Sequence, residues 1–196
     1  MPTNGVTCII LAGGQGKRMG GRNKALMPFG DHTLIEHAIA ALQPQVDQII
    51  ISANQDLEHL KNLGYPIIED EMKDQGPLIG ITSAANQVET PTVVVTPCDV
   101  INIPKHYVQK LIANLDANKS DIAIAKTHSG IQYLNCALTL RTINDLKLKI
   151  TLGTRKVSDW QAQLNTSYVE FNDHDGQTAL MNLNQPEDFS SCVRVG

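Results

Sequence analysis

The chain has 196 residues, 42% of them hydrophobic, and a formal charge of −4. That length suits one domain with a substantial buried core, and the acidic balance excludes a general nucleic-acid binder. No apolar run approaches the roughly 20 residues of a membrane-spanning helix. The opening Met1-Pro2-Thr3-Asn4-Gly5 has neither the basic segment nor the cleavage pattern of a secretory signal, so a cytoplasmic protein is expected.

Val6 to Leu11 is a continuous apolar run followed at once by glycines, which predicts a buried strand. Thr33 and Glu36 form a capping-box signature ahead of Leu34, Ile35, Ala38, Ile39 and Leu42 at helical spacing, and Pro44 ends that helix. A second strand is expected over Val46 to Ser52, then a short helix closing near Gly64. Tyr65 to Glu69 reads as a third strand, with Pro77 in the first turn of the next helix. Thr92 to Thr96 reads as a fourth, a helix runs from Pro104 through Leu115, and Asp121 to Ala125 makes a fifth strand. Apolar strands alternating with helices predict an α/β domain with a mainly parallel sheet.

Beyond Lys126 the rhythm loosens. Strands are expected at Tyr133 to Leu140 and, at the sheet edge, Tyr168 to Phe171; helices are expected at Ile143 to Lys149 and Lys156 to Leu164. A polar turn at Asp173 to Gly176 and a last helix starting at Pro186 complete the chain. Repeats and linkers are absent, so the expectation is a single domain with a nucleotide-binding half over about 1–126 and an acceptor-binding half over about 127–196.

The richest segment is Leu11-Ala12-Gly13-Gly14-Gln15-Gly16-Lys17-Arg18-Met19-Gly20-Gly21-Arg22-Asn23-Lys24. A loop leaving the end of a parallel strand lies on the edge where such sheets bind ligands. Glycines let backbone amides approach an anion, and Lys17, Arg18, Arg22 and Lys24 supply charge complementary to phosphate. It is neither a P-loop nor a Rossmann fingerprint, since GK[ST] is missing and Met19 takes the third glycine's place. Asp99, just past the fourth strand, falls on the same edge, where a carboxylate holds Mg²⁺ against triphosphate oxygens. Asp70 ends the third strand similarly; its spacing leaves open a ribose or base contact or a turn cap. Gly76-Pro77-Leu78-Ile79-Gly80 suits either close approach of a ligand or a plain helix start. Asn182 and Asn184 point the same way along an extended segment, which fits one polar ligand or an Asn-rich loop.

Cys8, Cys98, Cys136 and Cys192 are far apart and read as reduced thiols, with Cys8 and Cys136 in apolar stretches; the six histidines lack metal-ligand spacing, and His32 and His37 do not share a helix face. With neither a GxSxG elbow nor an HExxH helix, a transfer resting on positioning and electrostatics is expected.

LAGGQGKRMGGRNK, TPCD and MNLNQPED together resemble the molybdenum cofactor guanylyltransferases, within the GT-A-like nucleotidyltransferases. The resemblance implies a three-layer, Rossmann-like nucleotidyltransferase fold and transfer of GMP from Mg-GTP to the terminal phosphate of molybdopterin. It places Leu11, Ala12, Gly13, Gly14, Lys24, Asp70 and Asp99 on GTP, Asp99 on Mg²⁺, Arg18 near the phosphates and Asn182 and Asn184 towards the pterin. Arg18, Lys24 and Asp99 are the implied catalytic groups. A monomer with transient contacts to other proteins of the cofactor pathway is expected. Three departures stand out: Asn23 where the family carries aspartate, Ser52 for an asparagine, and no proline in Tyr133 to Leu138. Related cytidylyl or sugar-phosphate transferases, and a non-catalytic carrier, are the competing readings.

Overall fold

The structure is a computed structural model, and it describes residues 5–13, 23–72, 75–172 and 178–183. In chain order its elements are β1 (Val6–Leu11), the small hairpin β2 (Pro28–Phe29) and β3 (His32–Thr33), α1 (Leu34–Leu42), β4 (Gln48–Ser52), α2 (Leu57–Lys61), β5 (Ile67–Ile68), α3 (Pro77–Ala84), β6 (Thr92–Pro97) and β7 (Val100–Ile101). There follow α4 (Tyr107–Asn118), β8 (Ile122–Thr127), β9 (Gly130–Thr139), α5 (Leu140–Thr151), α6 (Val157–Gln161), β10 (Thr166–Glu170) and β11 (Met181–Asn182).

Seven strands form one sheet in the order β10-β8-β9-β6-β1-β4-β5. All pairings are parallel except those of β9, which runs antiparallel to both β6 and β8. Central strands alternate their apolar side chains between two cores. Cys8 and Ile10 join Ile35, Ala38, Leu42, Tyr107 and Leu111 on the α1/α4 face; Ile9 and Leu11 join Leu78, Ile79, Ile143, Leu146 and Trp160 on the α3/α5/α6 face. The central strands β1, β4 and β6 are therefore largely apolar because each of their faces meets helices, and the result is three layers. No described helix is long and apolar enough to cross a membrane.

Several boundaries differ from the sequence reading, each for a local reason. The third strand shrinks from Tyr65–Glu69 to Ile67–Ile68, since Pro66 has no N–H for the ladder and β5 lies at the sheet edge. The helix expected from Pro104 starts at Tyr107, whose amide donates to the Pro104 carbonyl at 3.0 Å, and it runs on to Asn118, where Lys119 turns left-handed at φ 49°. The helix expected at Ile143 begins at Leu140, because Thr139 caps it by accepting from the Thr142 amide at 3.2 Å. β9 is also longer than expected, and the final short helix is trimmed to Val157–Gln161. His32 and His37 do meet: His32 precedes the helix in β3, and the two rings pack edge to face at 5.6 Å. The Asp173 to Gly176 turn, the helix at Pro186 and Cys192 lie outside the described residues.

Candidate active site

In a parallel sheet every strand delivers its following loop to one edge, and four neighbouring strands do so here. β1 ends at Leu11, β4 at Ser52, β5 at Ile68 and β6 at Pro97, side by side in the order β6-β1-β4-β5. Backbone bonds lock these ends together: the Ala12 amide donates to the Ser52 carbonyl at 2.8 Å, and the Cys98 amide donates to the Leu11 carbonyl at 3.0 Å. The edge from β5 to β6 spans three strand steps, about 14 Å.

On the β6 side, Lys24 Nζ donates to Asp99 Oδ2 at 2.6 Å, each side chain about four-fifths buried (21% and 18% exposed). Lys24 is held there by a 3-10 turn, Lys24–Leu26, that Asn23 caps: its Oδ1 accepts from the Ala25 amide at 3.1 Å. Asn23 is one of the three departures, standing where the family carries aspartate. It keeps the capping bond, and its Nδ2 makes a further one to the Gln55 carbonyl at 3.3 Å that an aspartate could not make.

On the β4/β5 side, Asp70 sits in a polar cluster. Ser52 Oγ donates to Asp70 Oδ1 at 3.1 Å and Asn54 Nδ2 to Oδ2 at 2.7 Å, while the Asp70 amide donates back to Asn54 Oδ1 at 2.9 Å. Asn54 is thus satisfied at both ends and rigid. Gly80 of α3 approaches this cluster so closely that a Cβ there would lie 2.6 Å from Ser52 Oγ and 3.2 Å from Asp70 Oδ1. A Cβ on Gly13 would lie 3.4 Å from Asn54 Nδ2. Gly80 therefore serves close packing of the chain on itself, whereas a side chain at Gly13 would meet only ordinary contact; Gly76 stands at φ 89°, where a side chain is strained.

β11 lies antiparallel to β7, immediately after Asp99: Asn182 pairs with Val100, and the Leu183 amide donates to the Asp99 carbonyl at 3.0 Å. The structure therefore brings Leu11, Ala12, Gly13, Lys24, Asp70 and Asp99 to one edge, with Asn182 beside Asp99. Gly14, Arg18 and Asn184 lie outside the described residues. Asn54 escaped the sequence reading as a site residue, because only its cross-strand bonds to Asp70 distinguish it from an ordinary loop asparagine.

The chemistry open to this edge is limited. Burial, with Asp99 beside it, pushes the Cys98 thiol up to about 12, and burial also raises Cys8 and Cys136 to about 12. None of the three is a thiolate nucleophile at neutral pH. The described residues contain no cluster of three or more metal-ligating side chains. One carboxylate with a cation already against it suits a metal shared with phosphate oxygens, not a protein cage.

The model of the MobA-like NTP transferase domain matches residues 8–166. The chain belongs to that family. It is a nucleotidyltransferase. A protein of Shewanella loihica named molybdenum cofactor guanylyltransferase is 33% identical over 93% of this chain and 92% of its own length. One of the same name from Burkholderia ambifaria is 36% identical over 98% of each. A crystal structure of molybdopterin-guanine dinucleotide biosynthesis protein A from Archaeoglobus fulgidus superposes with a TM-score of 0.73 over 94% of this chain and 95% of its own, at 21% identity.

Proposed function

We propose that this nucleotidyltransferase moves GMP from GTP to the terminal phosphate of molybdopterin, releasing pyrophosphate and forming the guanine dinucleotide cofactor. The observation that carries the reading is the placement of the Lys24–Asp99 pair and the Ser52–Asn54–Asp70 cluster on either side of Leu11 to Gly13, on one sheet edge. Their separation, about 14 Å by strand spacing, is of the order of a nucleoside triphosphate's length. The name shared by the Shewanella and Burkholderia relatives supplies the choice of acceptor.

In this reading the backbone of Leu11, Ala12, Gly13 and Gly14 lies along the nucleotide. Asp70 has both oxygens oriented by fixed donors and accepts from ribose hydroxyls or base N–H groups. Lys24 sits at the phosphates, and Arg18 joins it from the loop. The acceptor phosphate is anionic at neutral pH, so no general base is needed; the obstacle is repulsion between it and the triphosphate. Lys24 and Arg18 offset that charge as the acceptor oxygen bonds to the α-phosphorus and the bond to the leaving pyrophosphate breaks. Asp99 would hold Mg²⁺, which would supply further neutralisation of the phosphate oxygens. Asn182 and Asn184 face the pterin from the acceptor half, about residues 127–196.

The test is pyrophosphate release from GTP, Mg²⁺ and molybdopterin, run beside CTP, UTP and ATP. GTP is expected to support turnover, and Lys24→Ala or Asp99→Ala to lower it by a hundredfold or more, on the order of 3 kcal/mol of transition-state stabilisation. No turnover with any pterin acceptor discards the assignment; preference for CTP moves it to a cytidylyltransferase.

A further inference from the structure

Asn182 does not stand alone. Its Nδ2 donates to Gln132 Oε1 at 2.9 Å, across from β11 to β9. Gln132 in turn closes a triangle with two hydroxyls at the β8–β9 hairpin: its Nε2 lies 3.3 Å from Thr127 Oγ1 and 3.3 Å from Ser129 Oγ, and those two oxygens are 2.8 Å apart. Gln132 reaches this spot through a bulge. Ile124 pairs with Cys136 but the next residue, Ala125, pairs with Gln132, so Tyr133, Leu134 and Asn135 are extra on β9. Bulges of this kind re-aim a side chain beside a site.

The triangle determines which way the amide faces. Three short polar contacts need three hydrogens. With Nε2 towards the hydroxyls, the amide supplies two and one hydroxyl supplies the third. With the amide reversed, both hydroxyl hydrogens go to the carbonyl, and the 2.8 Å oxygen–oxygen contact has none. Gln132 therefore turns Oε1 to Asn182, and Asn182 must answer with its NH₂. That leaves Asn182 Oδ1, which has no hydrogen-bond partner among the described residues.

We propose that Gln132 is a positioning residue for the acceptor: by fixing the Asn182 amide with Oδ1 outward, it makes that position a reader of an N–H or O–H donor on the acceptor's ring system and not of its phosphate. A carbonyl oxygen attracts a ring donor and repels a phosphate oxygen, so the acceptor is sorted by its heterocycle here while Lys24 handles its charge. The proposal rests on the reading of Asn182 as an acceptor contact.

The experiment measures steady-state KM for molybdopterin and for GTP in wild type, Gln132→Met, Gln132→Glu, Asn182→Ala and the double variant Gln132→Met/Asn182→Ala. Gln132→Met keeps the volume and releases the Asn182 amide; acceptor KM is expected to rise roughly fivefold, the worth of one mis-set hydrogen bond, with GTP KM unchanged. Gln132→Glu, which still offers Asn182 an acceptor oxygen, stays closer to wild type than Gln132→Met. Because Gln132 acts through Asn182, the double variant is no worse than Asn182→Ala alone. If Asn182→Ala raises acceptor KM and Gln132→Met does not, or the two effects add, Gln132 does not position it and the proposal fails while the acceptor reading stands. Unchanged acceptor KM in Asn182→Ala removes the acceptor reading of that residue and this proposal together.

Discussion

Gly80→Ala sets two opposing effects against each other at one position. Gly80 lies inside α3, where alanine gains about 1 kcal/mol of helix propensity over glycine. Its added Cβ would fall 2.6 Å from Ser52 Oγ, closer than such atoms approach, and 3.4 Å from Leu11 Cδ2. The serine hydroxyl is on a short side chain and must rotate away, and its 3.1 Å bond to Asp70 Oδ1 goes with it. A hydrogen bond to a carboxylate is worth roughly 2 kcal/mol. The loss therefore exceeds the gain by about 1 kcal/mol, a drop in Tm of about 3 °C for a chain of this size. Differential scanning calorimetry reads this directly, and the same variant is expected to bind GTP more weakly because Asp70 has lost one of its two side-chain donors. In a Ser52→Ala background the closer of the two crowding oxygens is gone and only the 3.2 Å approach to Asp70 Oδ1 remains, so the cost of Gly80→Ala shrinks. A rise in Tm for the single variant, or an equal cost in both backgrounds, refutes the account of Gly80 as a close-approach glycine.

Asn23→Asp restores the family's usual residue and yet is expected to destabilise, by about 1 kcal/mol, since a carboxylate oxygen then faces the Gln55 carbonyl in place of Nδ2; denaturant unfolding measures it, and an unchanged midpoint counts against the Gln55 bond. Glu36 is held below the usual carboxylate range first by the Thr33 amide, 2.7 Å away, then by the Thr33 hydroxyl. A depressed carboxylate adds stability above its unfolded value and loses it as pH falls through the folded one. The stability gap between wild type and Glu36→Gln is therefore expected to narrow as pH drops below the ordinary value of 4.5, and a constant gap from pH 7 to 3 disproves the linkage.

The α/β alternation was legible because the central strands are apolar on both faces, a pattern that a two-sided helical cover requires and that composition records directly. The capping signatures at Thr33 and at Pro77 were equally local. Boundaries failed where one residue's chemistry overrode the run around it, as Pro66 did for β5 and Thr139 for α5. Asp99 and the basic loop were legible as site candidates because charge and glycine gather at strand ends that the fold class sends to one edge. Asp70 was ambiguous for the opposite reason: a lone acidic residue after a strand has the same sequence whether it caps a turn or joins a site.

What the amino-acid order decided by itself is the set of elements, the edge on which the strands end and the residue types offered there, because those depend on periodicity and on backbone chemistry within a few residues. Tertiary structure alone decided the partnerships. The Lys24–Asp99 pair joins residues 75 apart, Asn54 meets Asp70 across two strands, and Gln132 meets Asn182 at a separation of 50. Side-chain hydrogen bonds act over about 3 Å, so such pairs exist only after the sheet has set strand order and register, and a β-bulge of three residues is enough to determine which amide faces which.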